Sequence, residues 1–272
     1  MSESLVKTVR EAYPGAPAPP VRLLPPNVPY QTLMQMVTEP TGLSLPVGIA
    51  EADLQPAYLD FAASPHLIVF GDTESGKSTF LRALARTICT WYPPEQAKIL
   101  LVDYRRSLLG AIGGEHLVGN GLTAAQTEDL MRSLAASMQL RLPGPDVTPD
   151  QLRRRSWWSG PEVFVLVDDY DLVAGAPTNP LMPILEYLPQ GRDVGLHLVL
   201  TRRSGGAGRA MYEAFIQRLR EVGSPGILLS GDRDEGTLLG NVRPSPLPPG
   251  RGWLVTRREG ARLIQLANLP PD

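Results

Sequence analysis

The sequence has little cysteine and little histidine. Its single cysteine, Cys89, excludes an internal disulfide and a zinc site built on cysteine thiolates. The apolar spacing around Cys89 predicts a helix packed on a sheet, so we interpret this thiol as a small core residue. His66 and His116 have no cysteine or histidine at metal-ligand spacing, and His197 lies within an apolar strand pattern. We therefore expect no zinc site, and we interpret His197 as an interior residue rather than a catalytic base.

Excess positive charge and long apolar runs are also missing. The chain has 26 basic and 28 acidic residues, a formal net charge of −2, whereas domains that bind nucleic acid electrostatically are usually strongly basic. The longest apolar stretches are strand-sized, such as residues 67–70 and 163–167, so we expect no transmembrane helix and no signal peptide. With 272 residues and 43% apolar content, the chain is large enough for one substantial α/β domain with appendages.

Proline is concentrated near the start of the chain. Residues 1–30 end in PGAPAPPVRLLPPNVP, whose prolines lack backbone N–H donors and favour extended conformations. We predict a Pro-rich linker or N-terminal extension over residues 1–30 and one folded domain over residues 31–272. A chain that opens with a linker is also consistent with a piece of a longer protein.

The rest of the chain alternates between strand-sized apolar runs and helical patterns. The predicted elements are strands 66–70, 98–103, 163–167, 196–201 and 226–230, with helices 77–91, 124–141, near 180–189, and 208–221. This alternation indicates βαβ crossovers and a mainly parallel sheet covered by helices on both faces. The final segment predicts two strands joined around Glu259-Gly260, a β-hairpin.

One segment matches the phosphate-binding pattern G-x-x-x-x-G-K-[ST] at every fixed position. Its residues are Gly71, Asp72, Thr73, Glu74, Ser75, Gly76, Lys77 and Ser78. The segment follows an apolar strand and opens a helix, the context that supports a true phosphate loop over an ordinary glycine-rich turn. Only three lysines occur in the chain, so the presence of one in this loop favours a functional role. We predict that the loop holds ATP, that Lys77 reaches the terminal phosphates, and that Ser78 binds Mg²⁺.

A pair of carboxylates follows the strand VFVLV. Asp168, at the end of a buried parallel strand, suits the acid that orders Mg²⁺, and Asp169 occupies the position where many such ATPases place a water-polarising glutamate. Aspartate is one methylene shorter than glutamate, so fast hydrolysis is not expected. The alternative is that DDYD is only a solvated strand end.

The strand over residues 98–103 lies between the phosphate-loop helix and the strand before Asp168. With the parallel strands numbered 1 to 5 along the chain, this placement favours the sheet order 5-1-4-3-2, the P-loop NTPase fold of the RecA/FtsK-like, additional-strand type. The strand over residues 196–201 would then lie between the two motif strands and place Thr201 near the γ-phosphate as a sensor. Because threonine is common in β-strands, Thr201 can also have a purely structural role.

Other segments carry weaker signals. RRRSWW (residues 153–158) pairs basic and aromatic residues as single-strand-binding surfaces do, but we favour an exposed linker or subunit contact. Asp232, with Glu235 three residues later, is better interpreted as a helix cap than as part of a calcium loop. The candidates for an arginine finger in a ring are Arg202, Arg203, Arg243 and Arg251, and the sequence does not choose between them.

Taken together, the motifs resemble those of the FtsK/SpoIIIE class of ring-forming ATPases. More narrowly, the chain is similar to the last, third ATPase domain of EccC proteins of the actinobacterial type VII (ESX) secretion systems. The similarity runs from about residue 20 to the end and includes GDTESGKSTFLRAL, ILLVDYRRSLL, VFVLVDDYDLV, GRDVGLHLVLTRR, LSGDRDEG and LPPGRGWLV. The Walker motifs alone indicate only a P-loop ATPase, and the later segments make the resemblance specific.

This resemblance implies a set of partners and a location. It implies tandem ATPase domains in a membrane-anchored complex, on the cytoplasmic side of the inner membrane and together with other subunits of the secretion complex. A hexamer is implied for the full assembly, whereas an isolated domain can be monomeric. It also implies that the domain docks the C-terminal signal of small, secreted helical-hairpin proteins of the WXG type. Nucleic acid is not an expected partner.

The resemblance also implies nucleotide contacts at Gly71 through Thr79, Asp168 and Asp169, with Thr201, Arg251 and Gln265 as further members. The chain departs from an efficient translocase at Asp169 and at Glu74, which adds negative charge beside a polyphosphate. Two alternatives therefore stay open, a DNA translocase domain of the FtsK kind and a nucleotide-locked structural subunit of a ring.

Overall fold

The structure, a computed structural model, describes residues 2–12, 23–38 and 41–271. Its strands are β1 (Val28–Pro29), β2 (Ser44–Ala50), β3 (Pro56–Asp60), β4 (His66–Phe70), β5 (Ala97–Val102), β6 (Leu117–Gly121), β7 (Glu162–Val167), β8 (Leu196–Arg202), β9 (Gly226–Leu228), β10 (Arg251–Thr256) and β11 (Gly260–Asn268). Its α-helices are α1 (Ser2–Ala12), α2 (Tyr30–Met36), α3 (Lys77–Trp91), α4 (Ala124–Leu140), α5 (Pro149–Arg154), α6 (Tyr170–Val173), α7 (Gly191–Val194), α8 (Ala207–Ala210) and α9 (Ala214–Glu221). Short 3₁₀ helices cover Gly114–His116, Met182–Gln190 and Arg233–Glu235.

A single mixed sheet runs through the molecule in the order β3-β2-β11-β10-β9-β4-β8-β7-β5-β6, and β1 pairs with the end of β11. The strands from β9 to β6 are parallel, and those from β3 to β10 are antiparallel. The predicted order 5-1-4-3-2 is confirmed, since β9, β4, β8, β7 and β5 lie side by side in that sequence. The predicted terminal hairpin is also confirmed as the antiparallel pair β10–β11. The edge strand β6 was not predicted, because its glycines and asparagine give no apolar run.

Both faces of the parallel strands are buried. In β4, the side chains of Ile68 and Phe70 lie in a core beneath α4, α9 and the 3₁₀ helix Met182–Gln190. Those of Leu67 and Val69 lie in a second core beneath α3. Burial on both faces explains why these strands are continuously apolar rather than alternating. Cys89 on α3 is partly buried against the second core.

Two predicted helices differ in detail from the observed elements. The prediction of a single helix over 208–221 is wrong, because a short non-helical segment separates α8 from α9. The carboxylate of Glu235 accepts hydrogen bonds from the N–H groups of Gly206 and Gly208, a distant contact that fixes the start of α8. The helix expected near 180–189 is a 3₁₀ helix containing Pro189, which lacks the N–H that an α-helix needs.

The first thirty residues are more structured than a simple linker where they are described. Ser2–Ala12 form α1, and Leu24 and Val28 are buried against α2 and β11. Residues 13–22 lie outside the described residues, so the predicted linker and the boundary at residue 31 remain predictions. No helix within the described ranges is long and apolar enough to cross a membrane.

The aromatic residues of RRRSWW serve the fold. The indole N–H of Trp157 donates to the carbonyl of Arg141 at 2.8 Å, and that of Trp158 donates to the carbonyl of Asp193 at 2.7 Å. The guanidinium of Arg141 lies 4.3 Å from the centre of the Trp158 ring. Each ring therefore has a structural partner within the chain. Nearby, buried His197 lies 2.9 Å from a carboxylate oxygen of Glu162, as expected of an interior histidine.

The N-terminal end of β4 depends on a buried neutral histidine. The ring of His66 accepts a hydrogen bond from the N–H of Leu198 at 3.1 Å and lies 2.8 Å from the carbonyl of Leu188. Gly191 packs on this ring so closely that a Cβ there would lie 2.6 Å from its Cε1. Burial lowers the pKa of His66 from 6.5 to about 4.

This burial predicts a pH-dependent stability. Because the folded state favours neutral His66, the contribution of this residue to the free energy of unfolding is complete above pH 6.5 and is lost as the pH falls from 6.5 towards about 4. The free energy lost should reach roughly 3 kcal/mol. Urea unfolding at several pH values should show that the free energy of unfolding of His66→Gln depends less steeply on pH over this window than that of wild type. The control His116→Gln should keep the wild-type dependence, and equal slopes for all three proteins would contradict the prediction.

Candidate nucleotide-binding site

The phosphate loop connects β4 to α3 at the carboxyl ends of the parallel strands. Glu74 and Gly76 adopt left-handed backbone conformations with φ of 61° and 106°, which allow the chain to turn tightly into α3. At Gly71, a Cβ would lie 2.4 Å from Ser75 Oγ, so only glycine fits. Neighbouring loops hold the phosphate loop in place. The N–H of Asp72 donates to the carbonyl of Ser230 at 2.8 Å, and that of Gly250 donates to the carbonyl of Ser75 at 2.8 Å.

Lys77 is buried at the first position of α3, with 7% of its side chain exposed. Its Nζ donates to the carbonyl of Asp72 at 2.9 Å and lies 3.8 Å from Asp169 Oδ1. The ammonium group is thereby folded over the loop, where terminal phosphates would contact it.

Asp168 occupies the end of β7 and joins three elements of the sheet. Its carboxylate accepts hydrogen bonds from Ser78 Oγ at 2.6 Å and from Thr201 Oγ1 at 2.7 Å. Burial raises the pKa of the Asp168 carboxyl above its usual range, and the two hydroxyl donors partly offset this effect. The three side chains come from α3, β7 and β8, as the predicted strand order requires.

Thr201 is fully buried between the two motif strands. Its hydroxyl donates to Asp168 and accepts the backbone N–H of Asp169 at 3.0 Å. Both of its hydrogen-bonding functions are therefore directed at the acids. A direct approach of Thr201 to a γ-phosphate stays a prediction.

Asp169 has a left-handed backbone, with φ of 48°, a conformation that aspartate tolerates better than most residues. Its carboxylate lies 2.9 Å from Arg105 Nε as well as beside Lys77. Arg105 was missed as a site residue in the sequence. The only signal was its place after β5, at the same edge of the sheet as the motif loops.

A cleft of about 410 Å³ opens beside Lys77 and Ser78. Its far wall comes from both ends of the domain and includes Asn27, Gly250 and Asn268, with exposed Glu74 at the phosphate loop. Asn27 and Asn268 carried no motif signal in the sequence.

Arg251 and Gln265, the two weaker candidates, lie beside this wall. The Arg251 guanidinium donates to the carbonyls of Leu24 and Pro25 and to Gln265 Oε1. Gln265 Nε2 donates to the carbonyl of Pro249 at 3.0 Å. Their polar groups are thus bound to the protein itself, and a direct nucleotide contact by either residue stays a prediction.

The other candidates for an arginine finger have different environments. Arg202 is buried and donates to the carbonyl of Arg203, and Arg203 pairs with Asp171 at 2.8 Å. Arg243 is exposed.

The residues fit a magnesium nucleotide. A serine hydroxyl and a carboxylate in contact supply the oxygen ligands that Mg²⁺ prefers, beside a lysine and a loop of backbone N–H groups. The described residues contain no cluster of three or more His, Cys, Asp or Glu side chains that could hold a metal.

Asp168→Asn tests this assignment. Because ionised Asp168 is buried, the neutral amide should leave the unfolding temperature of the nucleotide-free protein unchanged, or raise it by about 2 to 4 °C for each 1 kcal/mol gained. The variant should lose the part of ATP stabilisation that depends on Mg²⁺. Thermal unfolding with ATP, with and without Mg²⁺, measures both effects. Asp171→Asn is the matched control, and a wild-type Mg²⁺ response in Asp168→Asn would contradict the assignment.

Comparison with known proteins agrees with this geometry. The FtsK/SpoIIIE family model matches residues 31–141. EccC of Thermomonospora curvata is 52% identical over 262 residues, covering 96% of this chain and 20% of that protein. EccC4 of the Mycobacterium tuberculosis ESX-4 secretion system is 48% identical over 254 residues, covering 93% of this chain and 21% of that protein. The chain thus spans about a fifth of the length of these two relatives.

Solved structures give the same result. The structure of T. curvata EccC ATPases 2 and 3 in complex with a signal sequence peptide matches with a TM-score of 0.88 and 50% identity, covering 98% of this chain and 48% of that chain. A structure described as an ATPase matches with a TM-score of 0.82 and 31% identity, covering 90% of this chain and 96% of that chain. The chain belongs to the FtsK/SpoIIIE family of P-loop ATPases, within its EccC branch.

Proposed function

We propose that this domain binds Mg-ATP as one member of a ring of EccC-type ATPase domains that exports proteins through a type VII secretion system. The observation that carries the proposal is that Lys77 and Ser78 line one cleft while Ser78 contacts Asp168, in a chain about half identical to two EccC proteins. The domain works on the cytoplasmic side of the inner membrane, with the other ATPase domains and subunits of the secretion complex as its partners.

Each residue of the site has a defined task in nucleotide binding. The backbone N–H groups of residues 73–79 surround the phosphates at the start of α3, where the helix dipole favours negative charge. Lys77, which donates to the carbonyl of Asp72, would instead donate to the terminal phosphates of a bound nucleotide. Ser78 and Asp168 would hold Mg²⁺, which would neutralise phosphate charge.

Slow hydrolysis follows from the surroundings of Asp169. Its carboxylate is paired with Arg105 and Lys77, and its side chain is shorter than the glutamate usual at this position. A base held in two ion pairs is poorly placed to orient water. We therefore propose that ATP binding is the dominant activity of the isolated domain and that assembly into the ring promotes turnover.

Lys77→Ala should weaken Mg-ATP binding about 100-fold, because a charge-assisted contact to phosphate contributes up to about 3 kcal/mol. Calorimetric titration measures the affinity, and phosphate release from the same sample measures turnover. Lys98→Ala is the control, since Lys98 Nζ donates to the carbonyl of Glu115 away from the cleft. Equal Mg-ATP affinities for wild type and Lys77→Ala would refute the proposed function.

Asp169→Asn should bind Mg-ATP about threefold to tenfold more tightly than wild type, since it removes a negative charge beside Lys77 and the phosphates. Asparagine also tolerates the left-handed backbone of this position. Any phosphate release should fall at the same time, because the only candidate base is lost. Titrations at low and high salt should show the gain shrinking with ionic strength. A weaker affinity for the variant would disagree with this account of the site.

We further propose that the domain docks the C-terminal signal of small, secreted helical-hairpin proteins of the WXG type. The support is the T. curvata EccC structure, which holds a signal sequence peptide. The present chain has a second cleft of about 290 Å³ at the amino ends of the parallel strands, away from the phosphate loop. Tyr58, Phe61 and Leu67 line it, and exposed Arg258 lies at its side, where a carboxylate of a peptide tail would pair. Arg262, also at the cleft, pairs with Glu259 at 2.7 Å.

The docking proposal is tested with labelled peptides from the C-terminal tails of WXG-type proteins. Fluorescence anisotropy should show saturable binding that Tyr58→Ala weakens about tenfold. The exposed aromatic Tyr212 provides the control variant Tyr212→Ala. Binding unaffected by Tyr58→Ala would remove this cleft from the proposal. Salt-dependent retention on DNA would favour a DNA translocase instead.

A further inference from the structure

The cleft has a wall made from the segment Leu24–Val28, which we name the strap. We propose that Arg251 is a positioning residue that holds the strap over the nucleotide cleft, and that Asn27 of the strap and Asn268 hydrogen-bond the nucleotide base. This inference rests on the proposed nucleotide binding. It concerns the base-binding end of the cleft, to which none of the sequence motifs extends.

The contacts of Arg251 are specific to the strap. One guanidinium nitrogen, Nη2, donates to the carbonyl of Leu24 at 2.9 Å and to the carbonyl of Pro25 at 2.8 Å. Its Nε donates to Gln265 Oε1 at 3.1 Å, so the guanidinium is held in a fixed orientation. A charged donor shared by two consecutive carbonyls ties the backbone itself rather than a side chain.

The strap needs this support because of its composition. Pro25 and Pro26 have no N–H groups, so this part of the chain cannot donate to a sheet. Only at β1 does the strap join the sheet, by parallel pairing with the end of β11. Because the prolines have no N–H to donate, Arg251 attaches the strap to the domain through the strap's carbonyl groups instead.

Burial fixes both ends of the strap and leaves its middle facing the cleft. Leu24 and Val28 are 7% and 1% exposed and pack in a small core with Leu33, Ile49 and Ala267. Between them, Pro26 and Asn27 are exposed and line the cleft opposite Lys77. The anchored ends hold the intervening residues in one position.

The two asparagines present a defined pattern. Asn268 Nδ2 donates to Asn27 Oδ1 at 3.1 Å, which places the two carboxamides side by side at the cleft. This bond leaves the Nδ2 donors of Asn27 and the Oδ1 acceptor of Asn268 for a ligand. A donor next to an acceptor complements the hydrogen-bonding edge of a nucleotide base, such as N6–H and N1 of adenine or O6 and N1–H of guanine. The pair therefore suits a base rather than a phosphate, which offers acceptors alone.

The test separates the phosphate end of the site from the base end. Mg-ATP, Mg-GTP and magnesium tripolyphosphate are titrated into wild type, Arg251→Ala, the double variant Asn27→Ala/Asn268→Ala, and the control Arg132→Ala, whose guanidinium pairs with Glu128 on α4. Arg251→Ala should weaken ATP about tenfold and tripolyphosphate less than about twofold, because the phosphate loop is untouched. The double variant should weaken both nucleotides about tenfold and tripolyphosphate less than about twofold, and the control should match wild type.

Several outcomes would overturn the inference. They are wild-type ATP affinity in Arg251→Ala, an equal loss of ATP and tripolyphosphate affinity in that variant, and wild-type ATP affinity in the double variant. If Arg251→Ala does not fold, the double variant decides the question, since both asparagines are exposed. Wild-type protein that binds neither ATP nor tripolyphosphate would instead refute the proposed function, so the two failures are distinguishable.

Discussion

The hydrogen bonds from Ser78 and Thr201 to the Asp168 carboxylate depend on the order of the strands and in turn define the site. Asp168 directly follows β7, Thr201 lies in β8 and Ser78 lies in the first turn of α3 after β4, so the three meet only if β8 lies between β4 and β7. The two hydroxyl donors compensate for the burial of the Asp168 carboxylate, and a carboxylate is a ligand that suits a divalent cation. The same contacts therefore connect the strands of the sheet and define the proposed metal position.

A second constraint is the balance of charge around Lys77. Without phosphate, a buried ammonium needs nearby negative partners, and the carbonyl of Asp72 and the carboxylate of Asp169 provide them. Arg105 also pairs with Asp169, so the group of Lys77, Arg105 and Asp169 carries a net positive charge. This arrangement suits phosphate binding better than catalysis, because the acid that would orient water is already paired. The ion pairs that hold Lys77 in place are thus also the basis of the slow turnover proposed above.

The antiparallel half of the sheet closes the nucleotide cleft. Strands β10 and β11 extend the parallel sheet beyond β9, and Gly250 at the start of this extension bonds back to the phosphate loop. At Gly250, a Cβ would lie 2.8 Å from Gln265 Nε2, so glycine allows the close approach. The strap then joins β11 by its own short pairing. Residues from the two ends of the domain thereby face the phosphate loop across one cleft.

Several parts of this molecule were determined by the sequence alone. The phosphate loop, the acids after β7 and the strand order could be predicted because each depends on consecutive residues or on simple periodicity. Other features were decided only by the tertiary structure. The ion pair of Arg105 with Asp169, the bond from Gly206 to Glu235 at the start of α8, and the bond from Arg251 to Leu24 join residues that are distant in the chain. Contacts of this kind leave no local pattern, because the residue types on each side are common and only folding brings them together. Thus Arg251 suggested a nucleotide contact or an arginine finger from its motif, whereas the fold directs its guanidinium to a carbonyl 227 residues earlier.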